Sequence, residues 1–247
     1  MKRIHLFELA DQSWFPLPLR RQGMELLATI FRLSRSYETT DKILVVLMNE
    51  CANRSLIVLA AGSGGGIIDM TQKLPNETRI VLTDIFPDVN LKFEDARISY
   101  DHRSVDATCV PADLHGVRVI YTAFHHFNPP IAKALIADAV RANEPIAIFE
   151  ITERSFRGLA VILLLPMISL LVTPFVRPFN WSRLFWTYVV PVIPAFVFWD
   201  GFVSSLRTYS KTDLEPILRD FSTYEWTFKK FNGPNFEPLS ALIGKPK

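Results

Sequence analysis

The glycine-rich run from Ile57 to Gly66, which reads I-V-L-A-A-G-S-G-G-G, constrains the fold of this chain more than any other segment. Its β-branched and small apolar residues predict a buried parallel strand. The glycines that follow predict a turn that lets the backbone approach a ligand closely. A helix beginning near Ile67 would direct its free N–H groups at that ligand. The run therefore predicts a nucleotide-type site.

The spacing of the glycines distinguishes between two kinds of nucleotide site. The dinucleotide fingerprint G-x-G-x-x-G requires a third small residue, and the chain has Ile67 or Asp69 at that position. The pattern G-x-G-x-G does fit, and it resembles the first motif of the class I S-adenosylmethionine-dependent methyltransferases. That family usually has an acid two residues before the first glycine, where this chain has Ala60. The resemblance implies that S-adenosylmethionine is the cofactor and that the turn binds it through Gly62, Ser63, Gly64 and Gly66.

Two downstream acids extend the resemblance. Asp84 ends a short strand predicted over Arg79 to Thr83, about 20 residues after the glycines, where an acid can accept hydrogen bonds from both ribose hydroxyls. The alternative is a solvated turn acid before Pro87. The sequence V-D-A at 105–107 resembles the loop that meets the adenine amino group. This implies contacts from Asp106 and Ala107, although a simple turn is the alternative for Asp106.

A tandem histidine follows the next predicted strand, Val117 to Thr122. In the family that this chain resembles, the segment here lies beside the transferable methyl group, so Phe124 is a candidate cofactor contact. Imidazole titrates near neutral pH, and His125 or His126 could remove a proton from a substrate. In the alternative interpretation, one histidine caps the strand end and the other packs beneath the cofactor.

The remaining pattern predicts the fold class. Strands alternate with helices from Ile57 to Ile151, including a helix over Pro130 to Ala142 and a strand over Pro145 to Ile151. Near the end of the chain, Tyr224 to Phe231 and Leu239 to Gly244 predict an antiparallel hairpin. We therefore expect an α/β fold with a doubly wound, mostly parallel, seven-stranded sheet, as the resemblance implies. The hairpin and the glycine spacing argue against the alternative of a nucleotide-dependent oxidoreductase.

Residues outside the core are candidate substrate contacts. The first 54 residues predict a helical cap, and Trp14 could belong to a lid over the site. Packing of the cap onto the sheet is the alternative for Trp14. Arg207 and Tyr209 precede a helix whose predicted capping box is Thr212 to Glu215. They could contact a substrate, or Arg207 could pair with Asp200, which we place in a turn with Gly201.

The segment from 154 to 200 predicts an apolar helical insertion. Gly158 to Val176 and Leu184 to Trp199 contain no charged residue, and prolines interrupt both runs. Their length, kinks and flanking aromatic and arginine residues favour insertion of 158–199 into a membrane surface. One alternative is a buried lid or a dimer interface, and in the second case the protein would be an oligomer. The other alternative is a pair of true transmembrane helices. An apolar insertion favours a hydrophobic or lipid-like methyl acceptor.

Composition excludes several classes of protein. A net charge of +2 over 247 residues, without a dense basic run, argues against nucleic acid binding. Cys51 and Cys109 predict neither a disulfide framework nor a metal site. No metal cluster is evident, although the histidine pair could bind an ion if acids converge on it. Without a visible signal peptide we expect a cytoplasmic protein, peripheral or monotopic at a membrane. The predicted units of the chain are 1–54, 55–153, 154–200 and 201–247. The alternative function is a catalytically weak scaffold protein, which the absence of an acid at Ala60 supports.

Overall fold

The computed structural model describes residues 1–50, 54–62, 64, 74–88 and 91–247. The described residues form a seven-stranded sheet in the order β3-β2-β1-β4-β5-β7-β6, in which only the pairings that β7 makes are antiparallel. The predicted doubly wound, mostly parallel sheet with a terminal hairpin is therefore confirmed. The strands are β1 (Ser55–Val58), β2 (Arg79–Asp84), β3 (Ile98–Ser104), β4 (Val117–Tyr121), β5 (Ile146–Glu150), β6 (Tyr224–Asn232) and β7 (Pro238–Pro246).

Helices cover both faces of the sheet and build a separate layer beside it. In chain order, the α-helices among the described residues are α1 (Leu17–Ser34), α2 (Thr40–Glu50), α3 (Pro129–Arg141), α4 (Phe156–Leu163), α5 (Leu165–Val172), α6 (Trp181–Leu184), α7 (Val192–Arg207) and α8 (Lys211–Leu218). A 3-10 turn spans Phe124–His126, and a π-helical turn spans Phe185–Val189.

The central strands are buried because helices cover both of their faces. Every residue of β5 is buried, and Leu56 to Val58 of β1 pair in register with Val117 to Val119 of β4. Continuous apolar runs of this kind are typical of parallel strands. The carboxyl ends of β1, β2, β4 and β5 consequently meet along one edge of the sheet, which positions the candidate site.

Two local predictions near the end of the chain are wrong. The capping box of α8 uses Ser210 and Asp213, because Ser210 has the extended backbone of an N-cap and Thr212 already lies in the first helical turn. The predicted turn at Asp200 and Gly201 lies inside α7. A Cβ on Gly201 would stand 2.9 Å from Leu165, so this glycine permits close helix packing.

The apolar insertion packs against the N-terminal helices. Phe15 and Leu26 of the N-terminal region share a buried cluster with Ile162, Ile193 and Phe196 of the insertion. A Cβ on Gly23 would lie 2.2 Å from the ring of Phe196, so α1 and α7 are in close contact. The cap and the insertion therefore form one helical layer.

The outer surface of this layer is apolar. Within the described residues, the helical run Phe156–Phe175 has 20 residues and a mean hydropathy of 2.3, enough by length and composition to cross a membrane, and only 28% of its most apolar stretch is buried. A second apolar pair, Trp181–Val189 and Val192–Arg207, is bent by 77°. The exposed side chains include Leu163, Leu171, Phe175, Trp181 and Val189.

Candidate active site

The glycine turn follows β1 at the carboxyl edge of the sheet. Ala60, Gly62 and Gly64 have φ values of 51°, 52° and 69°, in the left-handed region that favours glycine. A Cβ on Gly64 would lie 2.9 Å from the side chain of Leu82, so a larger residue there would displace that side chain. The predicted cofactor residues Ser63 and Gly66, and the predicted helix near Ile67, lie outside the described residues.

The structure brings Asp84 against this turn. One carboxylate oxygen accepts a hydrogen bond from the N–H of Gly62 at 2.9 Å, and the other accepts from the N–H of Phe86 at 2.9 Å. A carboxylate offers about four acceptor positions, so both oxygens keep capacity for a ligand. Tyr100 also donates its hydroxyl to the carbonyl of Gly62 at 2.9 Å. The ribose-binding role of Asp84 stays a prediction, and its position beside the turn agrees with that role.

The loop with the predicted adenine contacts begins beside Asp84. The N–H of Val105 donates to the backbone carbonyl of Asp84 at 2.9 Å. Asp106 accepts hydrogen bonds from the N–H and hydroxyl of Thr108 at 2.8 and 2.7 Å, as in the turn that the sequence left as an alternative. Ala107 is buried against the core. The contacts of Asp106 and Ala107 with adenine therefore stay predictions.

His125 is fixed by an acid from the neighbouring strand. It lies in the turn after β4, and Glu150 ends β5 next to it. One Glu150 oxygen accepts from the backbone N–H of His125 at 3.0 Å, and the other lies 2.8 Å from His125 Nδ1. The His125 side chain is buried, and its Nε2 has no hydrogen-bond partner among the described residues. The ring therefore presents one free nitrogen inside the protein.

His126 lies beside it and is partly accessible. The two imidazole centroids are 4.4 Å apart, and 33% of the His126 side chain is exposed. Its Nδ1 lies 3.3 Å from a carboxylate oxygen of Asp11, and its Nε2 lies 3.5 Å from Glu8. Of the two predicted catalytic residues, His126 is the one that solvent reaches.

Glu8 and Asp11, which the sequence analysis did not single out, converge on the histidine pair together with Arg207. Arg207 Nη1 lies 3.0 Å from Glu8 and 3.1 Å from Asp11. Burial raises the pKa of Glu8 to about 7, although His126 and Arg207 act to lower it. Burial also acts to raise the pKa of Asp11, but hydrogen bonds from His126 and Arg207 outweigh burial and lower that pKa to about 2.

The remaining predicted site residues have mainly structural contacts. Arg207 is buried, and its acidic partners are Glu8 and Asp11. Asp200 instead accepts hydrogen bonds from the N–H groups of Leu9 and Ala10 at 2.7 and 2.9 Å. The pairing with an acid was predicted, but its partner was wrong. Tyr209 donates to the Phe127 carbonyl at 2.8 Å and lies under the Arg3 guanidinium. These contacts lend no support to direct substrate binding by the two residues.

The two predicted aromatic site residues, Phe124 and Trp14, differ in burial. Phe124 is buried, with its ring centroid 5.1 Å from that of Tyr209, so it belongs to the core beneath the site. Trp14 is largely exposed and contacts Phe15 edge to face. Neither the cofactor contact of Phe124 nor the lid role of Trp14 is tested by these contacts, and both stay predictions.

Comparison with known proteins identifies the fold. No protein-family model and no curated protein matches this chain. The plantazolicin methyltransferase BpumL, solved with S-adenosylhomocysteine, is similar over 97% of this chain and 94% of its own, with 12% identity and a TM-score of 0.60. Human N-acetylserotonin methyltransferase, solved with S-adenosylmethionine, is similar over 95% of this chain, which spans 59% of the human protein, with 14% identity and a TM-score of 0.52.

These likenesses agree with the strand order. The sheet, with its antiparallel strand β7 between β5 and β6, is the mostly parallel seven-stranded sheet with a terminal hairpin that the sequence resemblance implies. The chain therefore has the fold of the class I S-adenosylmethionine-dependent methyltransferases.

Proposed function

We propose that this protein is an S-adenosylmethionine-dependent methyltransferase. The observation that carries the proposal is the hydrogen bond between the glycine turn and the acid of the next strand, from the N–H of Gly62 to Asp84 at 2.9 Å. In this fold, the carboxyl edge of the sheet is where a nucleotide binds. The turn and the acid thus stand together where an adenosyl group needs a close backbone and a ribose acceptor.

The described residues fit such a cofactor. A Cβ built on Gly62 would meet no atom of the described residues within 4 Å, so none of them fills this side of the turn. Asp84 retains acceptor capacity on both oxygens, and the loop at Val105 is hydrogen-bonded to its backbone. Ala60 stands where the family usually has an acid. Without that acid, we expect weaker binding of the cofactor's amino group.

Methyl transfer demands mainly alignment. When bound, the cofactor supplies an electrophilic methyl group, and the protein orients the acceptor and excludes water. Proton removal is needed only for an acceptor that arrives protonated. His125 and His126 in the turn after β4, together with Glu8 of the N-terminal segment, bring two imidazoles and a carboxyl group together for this purpose.

The acceptor that we propose is hydrophobic or lipid-like, and the protein would meet it at a membrane surface. The exposed apolar side of the insertion supports this proposal. Leu163, Met167, Leu171 and Phe175 are four residues apart along the run Phe156–Phe175 and all are exposed, so they form one apolar stripe. A contiguous exposed apolar surface is rare on soluble monomers and typical of interaction sites. A monotopic insertion of this side would leave the sheet in the cytoplasm.

The activity is tested by transfer of a labelled methyl group. Purified protein in detergent receives S-adenosylmethionine with a labelled methyl group and a lipid extract, and the organic phase is then counted. We expect label in the extract with wild-type protein and with Asp113→Ala, an exposed acid paired with Arg103, but none with Asp84→Ala. Cofactor binding without transfer to any extract would favour the scaffold alternative.

A further inference from the structure

The histidine cluster has the geometry of a metal site. Glu8, His125 and His126 each offer one ligand atom, and these three atoms lie within 4.8 Å of one another. His125 Nε2 is 3.7 Å from one oxygen of Glu8, and His126 Nε2 is 3.5 Å from the other. Ligands about 2.0–2.2 Å from a tetrahedral zinc ion are about 3.3–3.6 Å apart, so small side-chain movements would place all three around one ion.

The second nitrogen of each imidazole is held by a carboxylate. His125 Nδ1 lies 2.8 Å from Glu150, and His126 Nδ1 lies 3.3 Å from Asp11. An ionised carboxylate only accepts hydrogen bonds, so each Nδ1 donates, and in the neutral imidazole the lone pair is then on Nε2. A carboxylate behind each imidazole is the arrangement that orients histidine ligands of metal ions.

The buried Nε2 of His125 points to a ligand independently of the cluster geometry. His125 is 1% exposed, and its Nε2 has no hydrogen-bond partner among the residues that the structure describes. A buried imidazole nitrogen without a partner loses its hydration and gains nothing in return. This nitrogen faces Glu8, so an ion between the two would satisfy it.

The surrounding charge also favours a cation. Within the described part of the chain, four carboxyl groups and two guanidinium groups surround the histidine pair, which leaves an acidic excess. These groups are Glu8, Asp11, Glu150, Asp200, Arg3 and Arg207. Arg207 contacts the Glu8 oxygen that lies on the side of His125, so Glu8 can hold Arg207 and offer its other oxygen to an ion.

We propose that Glu8, His125 and His126 bind one divalent transition-metal ion of the zinc class. Imidazole nitrogen suits zinc, cobalt and similar ions better than magnesium or calcium, which prefer oxygen ligands. Three protein ligands leave one coordination position for water or a substrate, as in catalytic zinc sites. The proposal concerns the ion alone and does not depend on the methyltransferase function.

Titration of chelator-treated full-length protein with Co²⁺ and Zn²⁺ tests the proposal. We expect one ion per chain, and a visible absorption band of low-coordinate cobalt with Co²⁺. His126→Ala should weaken binding at least a hundredfold, and Glu150→Gln, which leaves the three ligands in place, by about 10–100-fold. His115→Ala, at an exposed histidine paired with Glu144, is the matched control and should bind like wild type.

Two outcomes would overturn the proposal. One is wild-type protein that binds neither ion at millimolar concentration, and the other is His126→Ala that binds as tightly as wild type. Circular dichroism of each variant establishes that it is folded; since His126 is partly exposed, its replacement leaves the core intact. Binding of S-adenosylmethionine to the same chelator-treated sample separates the two proposals, because a protein that binds the cofactor but no ion contradicts this inference only.

Discussion

Replacing three exposed side chains of the apolar stripe should weaken membrane binding at least about a hundredfold. Leu163, Leu171 and Phe175 are 67%, 65% and 66% exposed, so about two-thirds of each is available for burial in lipid. Full burial of such a side chain contributes about 1.5–3 kcal/mol, and two-thirds of that is about 1–2 kcal/mol each. Serine at all three positions therefore removes about 3–6 kcal/mol from the free energy of membrane binding. Each 1.4 kcal/mol changes the binding constant by about a factor of ten.

The assay is co-sedimentation with phospholipid vesicles over a range of lipid concentrations. The matched control is Leu17→Ser with Leu33→Ser, because these leucines of α1 are 69% and 59% exposed and lie outside the stripe. Thermal unfolding should be nearly the same for all variants, since exposed substitutions change stability by about 0.5 kcal/mol or less. Equal vesicle binding by wild type and the stripe variant would refute the membrane proposal.

Two further predictions concern the sheet and the turn. Gly244→Ala in β7 should destabilise the protein by about 1–3 kcal/mol, because the new Cβ would lie 2.2 Å from the Trp226 ring. Thermal unfolding measures this change, and an unchanged midpoint would show that the hairpin is packed differently. Ala60→Asp should bind S-adenosylmethionine about 10–100-fold more tightly by calorimetry, since a charge-assisted hydrogen bond contributes about 1.5–3 kcal/mol and each 1.4 kcal/mol is a factor of ten. Aspartate tolerates the left-handed backbone at φ 51°. Unchanged affinity would show that the missing acid is irrelevant.

Local sequence patterns were sufficient for most of the sheet. The buried run at Ile57, the strand before Asp84 and the terminal hairpin each have a hydrophobic pattern that predicts a strand without reference to distant residues. The errors occurred where a local signal competed with packing. Asp200 and Gly201 are turn-forming types, but the carboxylate holds two backbone N–H groups of the N-terminal segment and the glycine faces Leu165.

The candidate site was only half visible in the sequence. The histidine pair and Asp84 follow strands, so their position at one edge could be predicted. Glu8 lies more than 100 residues from the histidines, and Glu150 lies 25 residues after His125. Such partners are set by the docking of the N-terminal segment and by the β4–β5 pairing, and no spacing rule encodes them. A buried acid at the end of β5 is the signal that would have identified Glu150.

Calorimetric titration with S-adenosylmethionine and S-adenosylhomocysteine tests whether the glycine turn and Asp84 form a cofactor site. We expect micromolar binding to wild-type protein. Asp84→Ala should lose this binding, because it removes the carboxylate that accepts the N–H of Gly62. Asp113→Ala should bind as wild type does. A folded wild-type protein that binds neither compound, or an Asp84→Ala variant with unchanged affinity, would contradict the assignment of the cofactor site.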